Sequence, residues 1–489
     1  MIPLASLLAG ALLPLALAPF DLWPLAFISL GLWFYLLHKN RQRALLLGWW
    51  FGVGKYALGA SWVYVSIHEH GNASVPLALA LVGLFVAGLA LFPAFAGWLF
   101  ARYRGSAVSA SALWFVFSYC LVEWLLSWLL TGFPWLYSGY ALLDTPLAVF
   151  APYGGVQLMN LIVAGSAAAV VVLMLERQQR WVRVSAFSVV LLPWLLFFPA
   201  AMPRWTESTG VHQAALVQGN IDQRIKWLPE SRGPIVRTYL ELSEPHWGVD
   251  LMLWPEAAIT LFEHEAQGLL EDLNSRGLET GTGLILGILA FEVGSGDRAV
   301  FRNTAIGIGN AQGRYAKRRL VPFGEYVPLE GLLRGLIEFF NLPMSRTEPG
   351  PWLQAPLQVA GDPAQMAICY EVVYPLLVST PPAALLLTIS NDTWFGDSLG
   401  PQQHLQMARM RALENGRWLL RATNNGVTAI IDPAGAVRGQ LPQFRAAVLT
   451  GEYHTMAGQT PFSRFGNWPF LLLLGGLVVA ALTLRKRVE

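Results

Sequence analysis

Apolar positions fill the first part of the chain in long unbroken runs, and then give way to short apolar stretches set among polar residues. The runs are Ile2–Pro19, Leu22–Leu37, Ala44–Ile67, Val75–Phe100, Ser109–Leu130, Val156–Leu175 and Val184–Ala200. Each comes close to the roughly 17 to 25 residues that a helix needs to cross a bilayer. An eighth, Trp468–Leu484, precedes Arg485-Lys486-Arg487. This pattern predicts a multispan α-helical membrane bundle of eight transmembrane helices. The first run ends in Leu15-Ala16-Leu17-Ala18-Pro19, which resembles a signal-peptide cleavage site. The proline directly after it and the absence of a basic leader favour a retained first helix.

Between Arg204 and the last run the pattern changes. Gln213–Val217, Leu251–Trp254, Leu284–Leu289, Thr304–Ile308, Gln365–Ile368, Ala384–Ile389 and Val427–Ile431 read as short buried strands alternating with helical stretches. That alternation predicts an α/β layered domain with covered sheets and with its chemistry at strand ends. Leu329–Phe340 carries apolar residues at helical spacing, which suits a core helix or one that dips into a membrane interface. The expected division is a seven-helix membrane bundle over 1–205, a polar domain over 206–462, and a closing helix with a basic tail over 463–489.

Composition supports this division. Of 489 residues 54% are hydrophobic and only 13% charged, too apolar for an ordinary soluble domain. A net charge of +2 and the lack of a long basic tract argue against nucleic acid as a partner. The two cysteines, Cys120 and Cys369, imply no disulfide framework, and no Cys/His spacing suggests zinc. Loops carrying Lys39, Arg41 and Arg43, then Arg102 and Arg104, then Arg177, Arg180 and Arg183 alternate with loops free of Lys and Arg. By the positive-inside rule the basic loops and tail are cytoplasmic, and residues 201–467 lie on the opposite face. Within the runs, Lys55 and Glu123 are costly charges that suit either a site or a mutual pair. Trp135, in Thr131-Gly132-Phe133-Pro134-Trp135, suits an interface anchor or a contact with an entering lipid.

Cys369 follows Met366-Ala367-Ile368 at a strand-to-turn junction, a geometry that exposes a nucleophile. A thiol needs a base, and the histidines His264 and His404 stand in no supporting motif. Glu256 follows a strand in Trp254-Pro255-Glu256 and, partly desolvated, could take a thiol proton. Lys317 could stabilise the oxyanion of a tetrahedral intermediate. Taken singly, Cys369 also fits an inert core residue, Glu256 a solvated strand end, and Lys317 part of a solvated basic run.

The order of Glu in Trp-Pro-Glu, Lys before Val321-Pro322-Phe323-Gly324-Glu325, and Cys in Cys369-Tyr370-Glu371 resembles the nitrilase, or carbon–nitrogen hydrolase, superfamily. Together with the bundle and the single C-terminal span, the chain resembles the family of bacterial apolipoprotein N-acyltransferases over nearly its whole length. Val217-Gln218-Gly219-Asn220, Arg302-Asn303-Thr304 and Asn391-Asp392-Thr393-Trp394-Phe395-Gly396 also carry the likeness. The resemblance implies an αββα sandwich with a triad of Glu256 as base, Lys317 as oxyanion stabiliser and Cys369 as nucleophile. It implies supporting roles for Glu325, Trp227, Asn303, Tyr370 and Glu371. The implied reaction moves the sn-1 acyl chain of a phospholipid, through a Cys369 thioester, to the α-amine of an S-diacylglyceryl-cysteine apolipoprotein. It needs no cofactor or metal, and implies a monomer in the bacterial inner membrane with its catalytic domain in the periplasm. Two rival readings remain: a membrane-anchored amidase using water as second nucleophile, and a non-catalytic transporter or scaffold.

Overall fold

The computed structural model describes residues 1–196, 204–293, 299–326, 347–379 and 383–486, so the expected helix Leu329–Phe340 lies outside the described residues. The chain forms two compact units. One comprises Met1–Tyr64, Ser74–Arg204 and Arg464–Glu489, and the other Val65–Ala73 and Trp205–Ser463.

The first unit is helical throughout. Its helices are Ile2–Leu15, Pro24–Lys39, Ala44–Gly59, Val75–Leu89 continuing as Leu91–Tyr103, Val108–Leu125, Ala151–Leu175, Arg180–Leu195 and Trp468–Lys486. Val75–Tyr103, Val108–Leu125 and Pro146–Leu175 are long and apolar enough to cross a membrane, and Ile2–Leu15 and Trp468–Thr483 are shorter apolar helices. Several helices end earlier than their apolar runs. The run Ser109–Leu130 stops being helical at Leu125, and Leu130 and Thr131 take positive φ values of 53° and 72°. Hydropathy sets how far a segment is apolar, but backbone geometry sets where a helix ends.

Helices without a water-driven force between them associate through close packing, which small residues permit. A Cβ at Gly10 would collide with the Phe51 carbonyl, and one at Gly54 with the Leu7 carbonyl, so Ile2–Leu15 and Ala44–Gly59 cross backbone to backbone. In the same unit Lys55 Nζ donates to Glu123 Oε1 at 2.6 Å, and both side chains are buried. The two charges within the apolar runs thus form a mutual pair.

The second unit contains strands β1 Thr206–Gln218, β2 Leu251–Leu253, β3 Ile259–Phe262, β4 Gly283–Val293, β5 Ala299–Gly309 and β6 Ala311–Ala316. These are followed by β7 Leu357–Val359, β8 Asp362–Ile368, β9 Leu385–Ser390, β10 Leu419–Thr423, β11 Ala429–Ile431, β12 Val437–Gln440 and β13 Ala447–Gly458. Pairing runs β12-β11-β10-β9-β8-β7-β6-β5-β4-β2-β1-β13, with β3 on β4. The β1–β2–β4 and β8–β9–β10 pairings are parallel. Alternate residues face opposite ways along a strand. Ala214, Leu216, Leu251, Leu253 and Ile285 accordingly pack with Met366, Ile368, Leu385, Leu387, Leu420 and Ala422 in one core. Their neighbours Ala215, Val217, Met252, Trp254, Leu284 and Leu286 join Ile235, Tyr239 and Leu273 of helices Arg232–Ser243 and Gln267–Thr280 in another. The central parallel strands β2 and β9 are buried on both faces, which is why they read as short, largely apolar runs. The result is two sheets face to face with helices outside, a nitrilase-like carbon–nitrogen hydrolase fold.

Candidate active site

The sheet halves present their strand ends to one another, and the polar residues just beyond β2, β6 and β8 meet there. Glu256 follows β2 and its side chain is 9% exposed. Its Oε1 accepts from Asn303 Nδ2 at 2.7 Å and from Lys317 Nζ at 3.1 Å, and its Oε2 accepts from the Asn391 backbone N–H at 2.8 Å. Lys317 directly follows β6, and its backbone N–H donates to the Asn303 carbonyl at 2.8 Å, which continues the ladder by one residue. Its ammonium also donates to Glu325 Oε1 at 2.8 Å. Glu325 is fixed in turn by the Val321 N–H, which donates to Oε2 at 2.8 Å, and Asn303 Nδ2 donates to Oε1 at 3.2 Å. Lys317 therefore sits between two carboxylates.

Cys369 directly follows β8 and opens a 3-10 turn, Cys369–Val373, at φ 53°. A left-handed conformation is unfavourable for a residue with a Cβ and has to be held by its surroundings. Glu371, fully buried, supplies part of that hold. Its Oε2 accepts from the Ile368 N–H at 2.8 Å, while Oε1 accepts from the N–H groups of Arg318 at 2.7 Å and Arg319 at 3.1 Å. The Tyr315 hydroxyl donates to the same carboxylate. One side chain thus ties the residue before Cys369 to the residue after Lys317. Tyr370 follows the nucleophile, with its ring 5.4 Å from that of Tyr374 in a T-shaped pair.

The charges are arranged asymmetrically. Burial raises the Cys369 pKa and the Glu256 carboxylate raises it further, against an opposing pull from Lys317. Burial also works against the Glu256 carboxylate, yet Lys317 and Asn303 hold its pKa below the usual value. Lys317 is pushed down by burial but held well above the ordinary lysine range by Glu256 and Glu325. At rest the trio is a carboxylate, an ammonium and a neutral thiol.

Of the residues singled out from the sequence, Glu256, Lys317, Cys369, Glu325, Asn303 and Glu371 form one connected network. Trp227 and Tyr370 belong to the same unit. Trp135 belongs to the helical unit, where it is 1% exposed and packs against Trp62 and Phe133. Sequence reasoning missed three features. Lys226 is buried with Nζ 3.3 Å from the Glu256 carbonyl, and burial lowers its pKa to about 8 against the pull of Glu256. Its adjacency to Trp227 was the available signal. Asn391 Nδ2 donates to Gln223 Oε1 at 2.8 Å. His404, without a motif of its own, places Nε2 3.2 Å from the Cys369 carbonyl oxygen, with Nδ1 3.1 Å from Asp392 Oδ1 and 3.0 Å from Arg421 Nη2. It contacts the backbone of the nucleophile's turn.

Two family models match the chain, and similar proteins span nearly all of it. Residues 9–169 match the family described as apolipoprotein N-acyltransferase N-terminal domain, and residues 213–461 the carbon-nitrogen hydrolase family. An apolipoprotein N-acyltransferase of Pseudomonas paraeruginosa is 46% identical over 490 residues, spanning 99% of this chain and 96% of its own. One from Vibrio vulnificus is 39% identical over 509 residues, spanning 99% and 97%. Among solved structures, Nit3 of Saccharomyces cerevisiae, a nitrilase-superfamily member, has a TM-score of 0.37 at 16% identity, over 50% of this chain and 91% of its own.

Proposed function

The chain belongs to the apolipoprotein N-acyltransferase family, membrane enzymes that N-acylate lipoproteins, and from that premise we propose a two-step, ping-pong reaction at Cys369. In the first step Glu256 takes the thiol proton as Sγ attacks the sn-1 ester carbonyl of a phospholipid. The oxyanion forms against Lys317. The carbon–oxygen bond then breaks, the departing glycerol oxygen takes the proton back from Glu256, and a lysophospholipid leaves behind a thioester.

In the second step the neutral α-amine of an S-diacylglyceryl-cysteine lipoprotein attacks the thioester, and its surplus proton passes to Glu256. The carbon–sulfur bond breaks, and the sulfur recovers that proton. The products are an amide and a free thiol. Glu325 keeps Lys317 charged, while Asn303, Glu371 and Tyr370 position the three groups beside Trp227. We further propose eight membrane spans, with residues 206–462 in the periplasm of an inner-membrane protein that acts as a monomer.

The observation that carries this reading is the buried lysine between two carboxylates, joined through Glu371 to the strained turn of Cys369. An ammonium has three N–H groups, and the two carboxylates take two of them. One donor aimed at an oxyanion is worth about 2.7 to 4 kcal/mol in a site of this kind. Incubation of the purified protein with phospholipid labelled in the sn-1 chain tests the proposal. A thioester-linked acyl group is expected by intact mass and is lost in Cys369→Ala. Absence of any acyl-enzyme overturns the reading, and turnover of simple amides alone would favour a hydrolase.

A further inference from the structure

Lys317 opens the basic run Lys317-Arg318-Arg319, and the three cations have different surroundings. Lys317 is held by the two glutamates. The Arg318 guanidinium is committed as well: Nε donates to the Tyr315 hydroxyl at 2.9 Å, Nη1 to the Trp352 carbonyl at 3.1 Å and Nη2 to the Leu377 carbonyl at 3.3 Å. Arg319 differs. Its guanidinium lies 5.3 Å from the Trp352 ring and 5.4 Å from the Tyr374 ring, with no ion pair or side-chain hydrogen bond among the described residues. It is held by two aromatic faces while its N–H groups stay available. A planar guanidinium fixed by stacking is suited to receive a phosphate through paired hydrogen bonds.

The location fits a lipid. The Arg319 backbone is bonded to Glu371, which also holds the residue before Cys369, and Tyr374 contacts Tyr370, the residue after it. The guanidinium is thus anchored to the nucleophile's own turn. Beside it Trp352, Leu353 and Leu376 are 61%, 88% and 53% exposed, and Arg318 ties together the two segments that carry them. A cation with free donors next to exposed apolar side chains matches an amphiphile, with an anionic group on one side and hydrocarbon on the other.

We propose that Arg319, between Trp352 and Tyr374, is the seat for the phosphodiester of the phospholipid acyl donor. The inference rests on the acyl-transfer reading given above, and its test separates the two. Acyl-enzyme formation on Cys369 is timed by intact mass with short-chain phosphatidylglycerol and with diacylglycerol of the same chain length, which offers the same ester without a phosphate. The rate ratio between the two donors is an internal control for misfolding, because both use the same thiol. In Arg319→Ala the ratio should fall about tenfold or more, the range expected for a lost charged hydrogen bond. Arg319→Lys should recover only part of it, since an ammonium restores charge without the planar fork. An unchanged ratio, or an equal loss with both donors, overturns the seat alone. Absence of acyl-enzyme from either lipid in the unmodified protein overturns the seat together with the reading beneath it.

Discussion

Replacing His404 tests how the nucleophile is held. In the proposed reaction the base is Glu256 and not this fully buried imidazole. Its Nε2 instead lies 3.2 Å from the Cys369 carbonyl oxygen. Burial and Arg421 lower the pKa of the ring against the opposing pull of Asp392, and in the tautomer that carries its proton on Nε2 the ring donates to that carbonyl. Cys369 keeps φ at 53°, a conformation that costs a residue with a side chain about 1 to 2 kcal/mol. Removing the donor from a buried carbonyl costs about 1 to 3 kcal/mol. If that loss falls on the placement of the thiol, acylation slows on the order of 5- to 150-fold, at roughly tenfold per 1.36 kcal/mol. His404→Ala and His404→Asn should both show it, because neither side chain reaches the carbonyl. In His404→Gln the amide nitrogen occupies the place of Nε2 and should restore most of the rate. The assay is single-turnover acyl-enzyme formation by intact mass, with melting temperature measured in parallel. An alanine variant that acylates at the unmodified rate would refute the argument. So would a glutamine variant that melts normally and is as slow as alanine.

Three other outcomes follow from the charges. Glu256→Gln should cut acyl-enzyme formation by about 10²-fold or more and yet speed alkylation of Cys369 by iodoacetamide at pH 8, since the carboxylate is one of the causes that keep the thiol neutral; slower alkylation would contradict the charge assignment. Because the Glu256 pKa is held below its usual 4.5, the base form and its contribution to stability are present above that value and are lost as pH falls through the lower folded pKa. The acid limb of the acylation rate should therefore lie below about pH 4.5, and a limb near pH 6 would count against Glu256 as the base. In the helical unit, Lys55→Met alone should destabilise the protein by about 3 to 5 kcal/mol, and adding Glu123→Leu should restore most of the loss. Melting in detergent reads this, and a double variant less stable than the single one would exclude a purely structural pair.

Glu256 and Cys369 stand out in the sequence because each follows a short apolar strand pattern, whereas Lys317 opens a basic run and gains its proposed role from the resemblance. β2 is buried throughout and β8 over its last five residues, so both end sharply, while β6 exposes Gln312, Gly313 and Arg314 and leaves no apolar run before Lys317. Other parts were hidden for physical reasons. β13 carries Glu452, His454 and Thr455 among its apolar residues, and it is a strand because it pairs with β1 from Thr206–Gly458 to Gln218–Ala447. Helix Gly400–Asn415 is rich in Gln, Arg and His and reads as solvated, yet Gln403, His404, Gln406, Arg411 and Glu414 are all buried. Their burial is of polar side chains, some paired within the fold as Arg411 is with Glu414, and so leaves no trace in the apolar pattern. Lys226 and His404 reach the site across 30 and 35 residues of sequence, which no local period encodes.

The second glutamate is explained by the proton traffic. Were Glu256 the sole partner of Lys317, taking the thiol proton would discharge the carboxylate that keeps the ammonium charged. The buried lysine would then lose its support at the moment an oxyanion needs it, because desolvation alone lowers its pKa. Glu325 accepts from Nζ at 2.8 Å and its other oxygen is fixed by the Val321 N–H, so a second acceptor stays with the ammonium when Glu256 takes the proton. Asn303 donates to both carboxylates, at 2.7 Å to Glu256 and 3.2 Å to Glu325. In the proposed reaction Glu256 cycles between charged and neutral while Lys317 remains a cation. Two functions that compete when one ion pair carries both are divided between two carboxylates.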